Sequence, residues 1–172
     1  MKNLVWFSAL LILTLGCSVS GDKQTKPCCA INGPKVGSLA EANLVQFIRD
    51  ELQRNNLSDL YIGIPKVESN FKINSEFEGC AGIWQLKKST AKSLGLKIDE
   101  KTDERFDVKK STKAAIKYLK YLEARFHSVD LVLAAYNWGE SRVARALKHN
   151  KPLPKKVLNY VAKVKKAAEA MV

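Results

Sequence analysis

Apolar residues recur at spacings of three and four along most of this chain, and this helical period limits its fold more than any other feature. Near the start of the pattern Ile48 and Leu52 share one helical face, and near its end Val157, Val161 and Val164 do the same. No pair of segments alternates apolar and polar residues convincingly enough to predict paired strands. The sequence therefore predicts an all-α fold of six or seven helices around one core, with little or no sheet.

Local signals place the ends of several helices. The stretch SLAE, from Ser38 to Glu41, has the capping-box pattern of a helix start. Pro65 interrupts the run LSDLYIGIPKVESNF, so that helix should kink or begin late. A short helix over 87–94 should end at Gly95, and a long amphipathic helix is predicted from Asp107 to about Phe126. The run DLVLAAYN is nearly all apolar, which predicts a buried helix.

The first 37 residues do not have this period. Lys2 precedes an apolar run at 4–16 that is too short for the roughly 20 residues of a membrane-spanning helix. The run ends at Gly16-Cys17 and resembles a bacterial lipoprotein signal, in which the cysteine carries the lipid, although Thr14 and Leu15 depart from the usual pattern. Ordinary secretion with Cys17 unmodified or removed is the alternative. We predict a signal peptide over 1–16, a tether over 17–37 and a folded domain over 38–172.

Cysteine and histidine spacing gives no metal site. If Cys17 is lipidated, Cys28, Cys29 and Cys80 remain, an odd number in an oxidising compartment. Cys80 either bridges to one of the adjacent pair or is a small buried residue. The cysteines do not form two CxxC pairs, and the two histidines, His127 and His149, lie far apart, so neither a metal nor a cofactor is predicted.

The chain is strongly basic, with a formal net charge of +12. Nucleic acid is the usual partner to consider for such a protein. An exported protein rarely meets nucleic acid, however, and the lysines are spread along helical faces. Attraction to an anionic cell envelope fits this pattern better, and no nucleic-acid partner is predicted.

One acidic residue has the surroundings of a general acid. Glu68 is at the C-terminal end of an apolar helix, directly after the core-facing Val67. The helix end and the apolar neighbours both disfavour a negative charge, so both should raise the pKa of Glu68. A carboxyl group that is protonated near neutral pH can act as a general acid. The alternative is an ordinary surface glutamate.

The segment after Glu68 adds features of a sugar-binding loop. Gly79 and Gly82 permit close approach of the backbone, and Trp84 supplies an apolar face beside the Gln85 amide. Each feature alone is weak, since a tryptophan is more often a core residue than a ligand platform.

Taken together, the blocks VESNF, GCAGIWQ, DERFDVKKSTKAAIKYLKYL, LAAYNWGESRVARAL and LPKKVLNYV closely resemble the lytic transglycosylases of glycoside hydrolase family 23. The resemblance runs from about residue 44 to 165. It implies a lysozyme-like, goose-type helical domain over 38–172 that acts as a monomer on the glycan strands of peptidoglycan. Together with the lipoprotein-like signal, it predicts a periplasmic location in a bacterial envelope, with the Cys17 lipid anchoring the protein to the outer membrane.

The resemblance also assigns roles to single residues. Glu68 matches the one catalytic acid/base of the family, and Glu76 occupies a position where relatives commonly have a serine that hydrogen-bonds this acid. Either Glu76 faces Glu68 and favours hydrolysis, or Glu76 is exposed and Ser75 takes the serine's place. The other matched positions are those of Ser69 (expected to have a local structural role), Gln85, Tyr136, Asn137 and Tyr160 around the substrate.

The implied reaction cleaves the β-1,4 bond between N-acetylmuramic acid and N-acetylglucosamine and leaves a 1,6-anhydro end. Most glycosidases use two carboxylates. A hydroxyl supplied by the substrate itself can replace the second, which explains the single acid. The alternatives are a muramidase of lysozyme type, which adds water, and a non-catalytic peptidoglycan-binding lipoprotein.

Overall fold

A computed structural model describes residues 39–171 as seven α-helices, two short 3₁₀ helices and a small sheet. The predicted signal peptide, the tether and Ser38 lie outside the described residues. The helices are α1 Leu39–Arg54, α2 Gly63–Ser69, α3 Lys88–Ser93, α4 Val108–Phe126, α5 Val129–Trp138, α6 Glu140–Lys148 and α7 Lys155–Glu169. The 3₁₀ helices are Asp59–Ile62 and Glu104–Phe106. The all-α, lysozyme-like fold class is confirmed, as is the number of helices.

The expectation of little or no sheet is confirmed, although the sequence showed no convincing strand pair. Three antiparallel strands, β1 Glu76–Phe77, β2 Cys80–Ala81 and β3 Leu86–Lys87, form a sheet in the order β1-β2-β3. Each strand has two residues, which is too short for an alternating pattern to be visible in the sequence. The sheet directly follows the helix that carries Glu68.

The predicted helix ends agree with the structure where it describes them. Pro65 lies in the first turn of α2, where a proline is tolerated, so the helix begins late as expected. The Asp107 side chain caps α4 by accepting from the backbone N–H of Lys110 at 2.9 Å. Gly95, with φ of +96°, follows α3 and its C-cap residue. The side chain of Glu41 pairs with Lys66 at 3.1 Å.

Helix α7 is packed against α2, α5 and the 3₁₀ helix Asp59–Ile62. Its side chains Val157 and Val164 are fully buried. The backbones of α2 and α7 come so close that a Cβ at Gly63 would lie 2.1 Å from the carbonyl oxygen of Val164. Only glycine fits this crossing, which lies at the first residue of α2.

A buried arginine attaches the sheet to the rest of the domain. Arg105, in the second 3₁₀ helix, is 5 % exposed and pairs with Asp103 at 2.6 Å. Its Nη1 donates to the carbonyl oxygens of Gly79 at 2.7 Å and Leu86 at 3.1 Å. A Cβ at Gly82 would lie 1.9 Å from the Arg105 carbonyl oxygen, so this loop also requires a glycine. The Arg105 side chain therefore bonds to the turn before β2 and to β3, and its backbone packs closely against the loop between these two strands.

Cys80 in β2 is fully buried and forms a disulfide bond. The other three cysteines of the chain lie outside the described residues. The bridged alternative for Cys80 thus agrees with the structure, while the identity of its partner stays a prediction.

Two features are absent from residues 39–171. None of the helices in this range is both long and apolar enough to cross a membrane. Within the same range, histidine, cysteine and acidic side chains form no group of three that could hold a metal ion.

Candidate active site

Glu68 lies in the last turn of α2, which ends because Asn70 adopts a left-handed conformation. The Asn70 N–H still bonds back to the carbonyl oxygen of Lys66 at 3.1 Å. Glu68 is only 5 % exposed. A carboxyl group is thus buried at the negative end of a helix dipole, as the sequence predicted.

Tyr160 of α7 is the hydrogen-bond partner of this acid. Its hydroxyl donates to Oε1 of Glu68 over 2.7 Å, whereas Oε2 is buried without a hydrogen-bond partner among the described residues. Burial raises the pKa of Glu68 from 4.5 to about 8, although the hydrogen bond from Tyr160 lowers it in part. Glu68 is therefore mostly a neutral acid at pH 7. Because Oε1 accepts from Tyr160, Oε2 is the oxygen that is available to carry and donate the acidic proton.

Ser69 joins α2 to the sheet. Its Oγ donates to the carbonyl oxygen of Ile83 at 2.9 Å and lies 3.1 Å from that of Pro65. The side chain is buried and committed to the backbone on both sides. This geometry fits the expected local structural role, and contact of Ser69 with substrate stays a prediction.

Tyr136 enters the site from α5, whereas contact of Asn137 with substrate stays a prediction. The hydroxyl of Tyr136 donates to the carbonyl oxygen of Trp84 at 2.8 Å. Burial, then the charge of Glu68, raises the pKa of Tyr136 well above 10, so this tyrosine is neutral and close to the acid. Asn137 is the next residue of α5 and is half-buried.

Gln85 is placed by its backbone and held by its side chain. Its φ is +44°, in the left-handed region, and it is 5 % exposed. Its amide nitrogen donates to the carbonyl oxygens of Ser75 at 2.9 Å and Gly82 at 2.8 Å. Both N–H bonds therefore hold the loop together, which leaves the amide oxygen as the group for the predicted contact with a sugar.

Glu76 lies on β1, is exposed and pairs through its backbone with Ala81. Two causes shift the pKa of Glu68, its burial and its bond to Tyr160, and Glu76 is not among them. Of the two alternatives for Glu76, its exposure fits the structure, but among the described residues the hydrogen bond to Glu68 comes from Tyr160 and none comes from Ser75, so the replacement by Ser75 is not borne out. The backbone of Ser75 next to it accepts from Gly82 and Gln85.

Two supporting contacts were not predicted from the sequence. Trp84 is a fully buried core residue, and its indole Nε1 donates to Thr112 Oγ1 of α4 at 3.0 Å. The other is the Arg105–Asp103 pair described above. The acidic residues around Arg105 in the stretch DERFD indicate an ion pair in the sequence. The carbonyl groups that Arg105 also binds, those of Leu86 and Gly79, are 19 and 26 residues away, so the sequence gives no sign of these bonds.

The arrangement can donate and recover one proton in a water-poor setting. It brings together Glu68, Tyr136 and Tyr160 from three helices, and it provides no second carboxylate that acts on the pKa of Glu68. A single acid/base of this kind serves a reaction whose nucleophile is supplied by the substrate.

Comparison with known proteins gives three kinds of likeness. Residues 46–159 match the profile of the transglycosylase SLT domain family. The chain is 35 % identical over 131 residues to membrane-bound lytic murein transglycosylase D of Escherichia coli strain K12, covering 69 % of this chain and 29 % of that protein. It is 34 % identical over 111 residues to a putative tributyltin chloride resistance protein of Alteromonas sp. strain M-1, covering 61 % and 52 %.

Among solved structures, the domain is similar to an X-ray structure of an inactive glutamate-to-glutamine mutant of lytic transglycosylase Slt from Pseudomonas aeruginosa. The TM-score is 0.51 and the identity 25 %, over 76 % of this chain and 22 % of that one. The chain thus spans less than a third of the length of the first relative and of this neighbour.

Proposed function

The chain belongs to the transglycosylase SLT domain family, and from that premise we propose that it is a lytic transglycosylase of peptidoglycan. In this proposal it cleaves the β-1,4 bond between N-acetylmuramic acid and N-acetylglucosamine. Glu68 is its general acid and general base, and the product carries a 1,6-anhydro end. The names of the relative from Escherichia coli and of the solved neighbour support this class of reaction.

The observation that carries the proposal is the state of Glu68. Its carboxyl group is buried, its pKa is raised to about 8, and its Oε2 has no hydrogen-bond partner in the described part of the chain. A buried polar atom without a partner is costly. A substrate oxygen that accepts the Oε2 proton would relieve this cost at the moment of reaction.

In the first step, the proton on Oε2 of Glu68 passes to the glycosidic oxygen, and the bond from that oxygen to C1 of the muramic sugar breaks. The departing N-acetylglucosamine leaves as a free hydroxyl. Positive charge develops at C1, and the new Glu68 carboxylate lies beside it. Tyr160, which donates to Oε1, stabilises this carboxylate.

In the second step, the Glu68 carboxylate removes the proton from the C6 hydroxyl of the same muramic sugar. The C6 oxygen then bonds to C1 and closes the anhydro ring. Glu68 returns to its protonated form, and no water is consumed. The nucleophile belongs to the sugar at which the bond broke, so no second carboxylate is required.

A hydrolytic muramidase is the main competing function. An inverting hydrolase needs a second carboxylate to activate water, and a retaining one needs it as a nucleophile. The pKa of Glu68 is not shifted by such a group, and Glu76 is exposed. The solved neighbour is a glutamate-to-glutamine mutant described as inactive, which supports an essential glutamate in that protein.

The test is digestion of purified peptidoglycan followed by mass spectrometry of the fragments. We expect muropeptides one water lighter than those made by a lysozyme, and reducing ends would refute the proposal. The variant Glu76→Gln tests the competing role of Glu76 as an activator of water, with Glu78→Gln, an exposed carboxylate of the same loop, as matched control. Anhydro products from all three proteins are the expected result.

We also propose that Cys17 carries a lipid and that the protein is held in the periplasm at the outer membrane. Residue 17 lies outside the described residues, so the support for this proposal comes from the lipoprotein-like signal in the sequence and from the membrane-bound relative. Cys17→Ala should move the protein from the membrane fraction to the soluble fraction of the envelope. Unchanged fractionation would contradict the anchor.

A further inference from the structure

An apolar groove runs along the outer side of α7. It has a volume of about 790 Å³ and lies between the start of α5, the loop before α7 and α7 itself. The apolar part of its lining comes from Leu131, Leu153, Leu158, Val161 and Ala162. Leu158 is 51 % exposed, the highest value among the large apolar side chains that the described residues expose. None of the residues that line the groove belongs to the candidate active site.

Helix α7 has two different sides. Its buried side packs on α2 and α5 and consists of Val157, Tyr160, Val161, Val164 and Ala168. Leu158, Ala162 and Lys166 follow one another at spacings of four, so they form a stripe on the exposed side. Tyr160 and its bond to Glu68 therefore lie on the side of the helix opposite this stripe.

The positive charge of the chain is concentrated in the same region. Residues 140–172 contain nine lysines and arginines and two acids, a net charge of +7 out of +12 for the whole chain. Of the two acids that border the groove, Asp130 is paired with Lys165 at 3.0 Å, and Glu169 is the last residue of α7. The lysines of α7 and of the loop before it that are exposed are Lys151, Lys155, Lys156, Lys163 and Lys166. This side of the domain is therefore strongly positive.

Exposed lysines alone do not distinguish this face, because α4 also exposes Lys113 and Lys117. What α7 adds is an exposed leucine and an apolar groove beside its lysines. A basic helix with exposed apolar residues is typical of a surface that binds an anionic membrane. The lysines of such a helix pair with lipid phosphates, while the apolar side chains enter the boundary between headgroups and acyl chains.

We propose that the exposed face of α7, with Leu158 and the groove beside it, docks the domain on a membrane of anionic phospholipids. Lys155, Lys163 and Lys166 pair with the headgroup phosphates, and Leu158 enters the apolar boundary below them. The side of α7 that carries Tyr160 points away from the lipid in this arrangement. Docking therefore leaves the contact of Tyr160 with Glu68 unchanged, and the inference does not depend on the reaction proposed above.

The predicted lipid anchor is the reason to choose a membrane over an acidic protein as the partner. Residues 18–38 separate Cys17 from Leu39, and a chain of this length spans at most about 75 Å. A lipid on Cys17 would keep the domain this close to the membrane, where its effective concentration is high. A face with modest intrinsic affinity is then sufficient to hold the domain on the lipid.

The experiment measures the binding of residues 18–172 to lipid vesicles by sedimentation. This chain lacks the predicted signal and Cys17, so neither an apolar leader nor a lipid contributes, and it contains the whole folded domain with its core from Ile48 to Ala168. We expect binding to vesicles of phosphatidylglycerol and phosphatidylcholine in equal parts. Binding should weaken at high salt and be absent with phosphatidylcholine alone.

Two variants test the two parts of the face. Lys163→Gln combined with Lys166→Gln should weaken vesicle binding about 25-fold, because each lysine at an anionic surface contributes about fivefold. Leu158→Gln should weaken it about fivefold, because the exposed half of this side chain is then no longer buried in apolar surroundings.

Matched controls change the same residue types elsewhere. Lys113→Gln combined with Lys117→Gln removes two exposed lysines of α4, and Ile73→Gln removes an apolar side chain that is 43 % exposed outside the groove. Both controls should bind vesicles as the parent chain does. Thermal unfolding checks that every variant is folded, and cleavage of soluble glycan fragments should proceed at the parent rate in Leu158→Gln.

An equal loss in the α4 control would overturn the docking face, since it would show a general attraction to negative charge. Undiminished binding by Leu158→Gln would also overturn it, because no apolar contact would then be made. Polyglutamate probes the other class of partner: if it binds as tightly as the vesicles do, the face belongs to an acidic protein and not to a membrane. Failure of the proposed function is separate, because it would appear as a parent chain that binds vesicles but cleaves no glycan.

Discussion

The hydroxyl of Tyr160 and Oε1 of Glu68 are joined by a 2.7 Å hydrogen bond between residues 92 positions apart. The bond connects the end of α2 to the middle of α7 inside a buried site. It stabilises the carboxylate form of Glu68, while burial stabilises the neutral form, and burial is the larger effect. The balance leaves an acid that can lose and regain a proton near neutral pH.

Glu68→Gln should abolish cleavage and leave a folded protein. Glutamine has the same shape and can still accept the Tyr160 hydrogen bond, but it has no acidic proton. General acid–base groups contribute about 100-fold or more, so the rate of muropeptide release should fall by at least that factor. Release measured by chromatography at a rate near that of the wild type would rule out Glu68 as the acid.

The same variant should also change how stability depends on pH. In the folded protein the pKa of Glu68 is about 8, above its ordinary value of 4.5, so the native state binds more protons between these two values. Burial of the neutral acid therefore favours folding below pH 4.5, and this advantage is lost as the pH rises through 8. The melting temperature of Glu68→Gln relative to wild type should rise from pH 5 to pH 9. A constant difference would contradict the raised pKa.

Tyr160→Phe should shift the pH profile of activity in a defined direction. The Tyr160 hydrogen bond lowers the pKa of Glu68, so its removal should raise that pKa further. A hydrogen bond to a charged group is worth about 1.5–3 kcal/mol, which moves the alkaline limb of the rate profile upward by about one pH unit or more. The maximal rate should fall because the carboxylate formed in the first step loses a donor. A limb that stays in place or moves downward would contradict the assigned contact.

Arg105→Met tests the attachment of the sheet. It removes the donors to Gly79 and Leu86 and leaves Asp103 without its ionic partner. Breaking a buried pair costs about 3–5 kcal/mol, and a value near 3 kcal/mol is expected because Asp103 is partly exposed. Urea unfolding should show a lower midpoint. Lys97→Met, which breaks an exposed pair with Asp99, is the control and should leave the midpoint unchanged.

The sequence predicts the C-terminal end of α2, which carries Glu68, well because its signals are local. The helical period, Pro65 in the first turn and the apolar residues before Glu68 are all contained in one short stretch, and all three agree with the structure. The roles of Tyr136 and Tyr160 are predicted only by the resemblance to a family. Their contacts span 52 and 92 positions of the chain, and contacts this distant leave no trace in the periodicity of the sequence.

Other parts of the site could not be read from the sequence for physical reasons. Strands of two residues, such as Glu76–Phe77, have no period to detect, and their sheet is held by backbone acceptors that no side-chain pattern reveals. Gln85 looks like a groove residue in sequence, yet both of its N–H bonds hold the loop.

Gly63→Ala tests whether the close crossing of α2 and α7 sets the geometry of the acid. Intrinsic helix propensity favours alanine over glycine by about 1 kcal/mol, so an isolated α2 would gain stability. In the domain the new Cβ would lie 2.1 Å from the Val164 carbonyl oxygen, a backbone atom that cannot rotate away, so the two helices must separate. We expect a loss of about 1–3 kcal/mol in the free energy of unfolding.

The separation should reach the chemistry, because Glu68 and Tyr160 lie on these same two helices. A longer bond between them should lower the cleavage rate and move its alkaline limb upward, in the direction of Tyr160→Phe. Gly95→Ala is the comparison variant: its Cβ would meet no atom within 4 Å, yet its φ of +96° is strained for alanine. It should therefore cost stability without moving the pH profile. If Gly63→Ala unfolds like the wild type, or keeps the wild-type alkaline limb, the crossing does not control the acid.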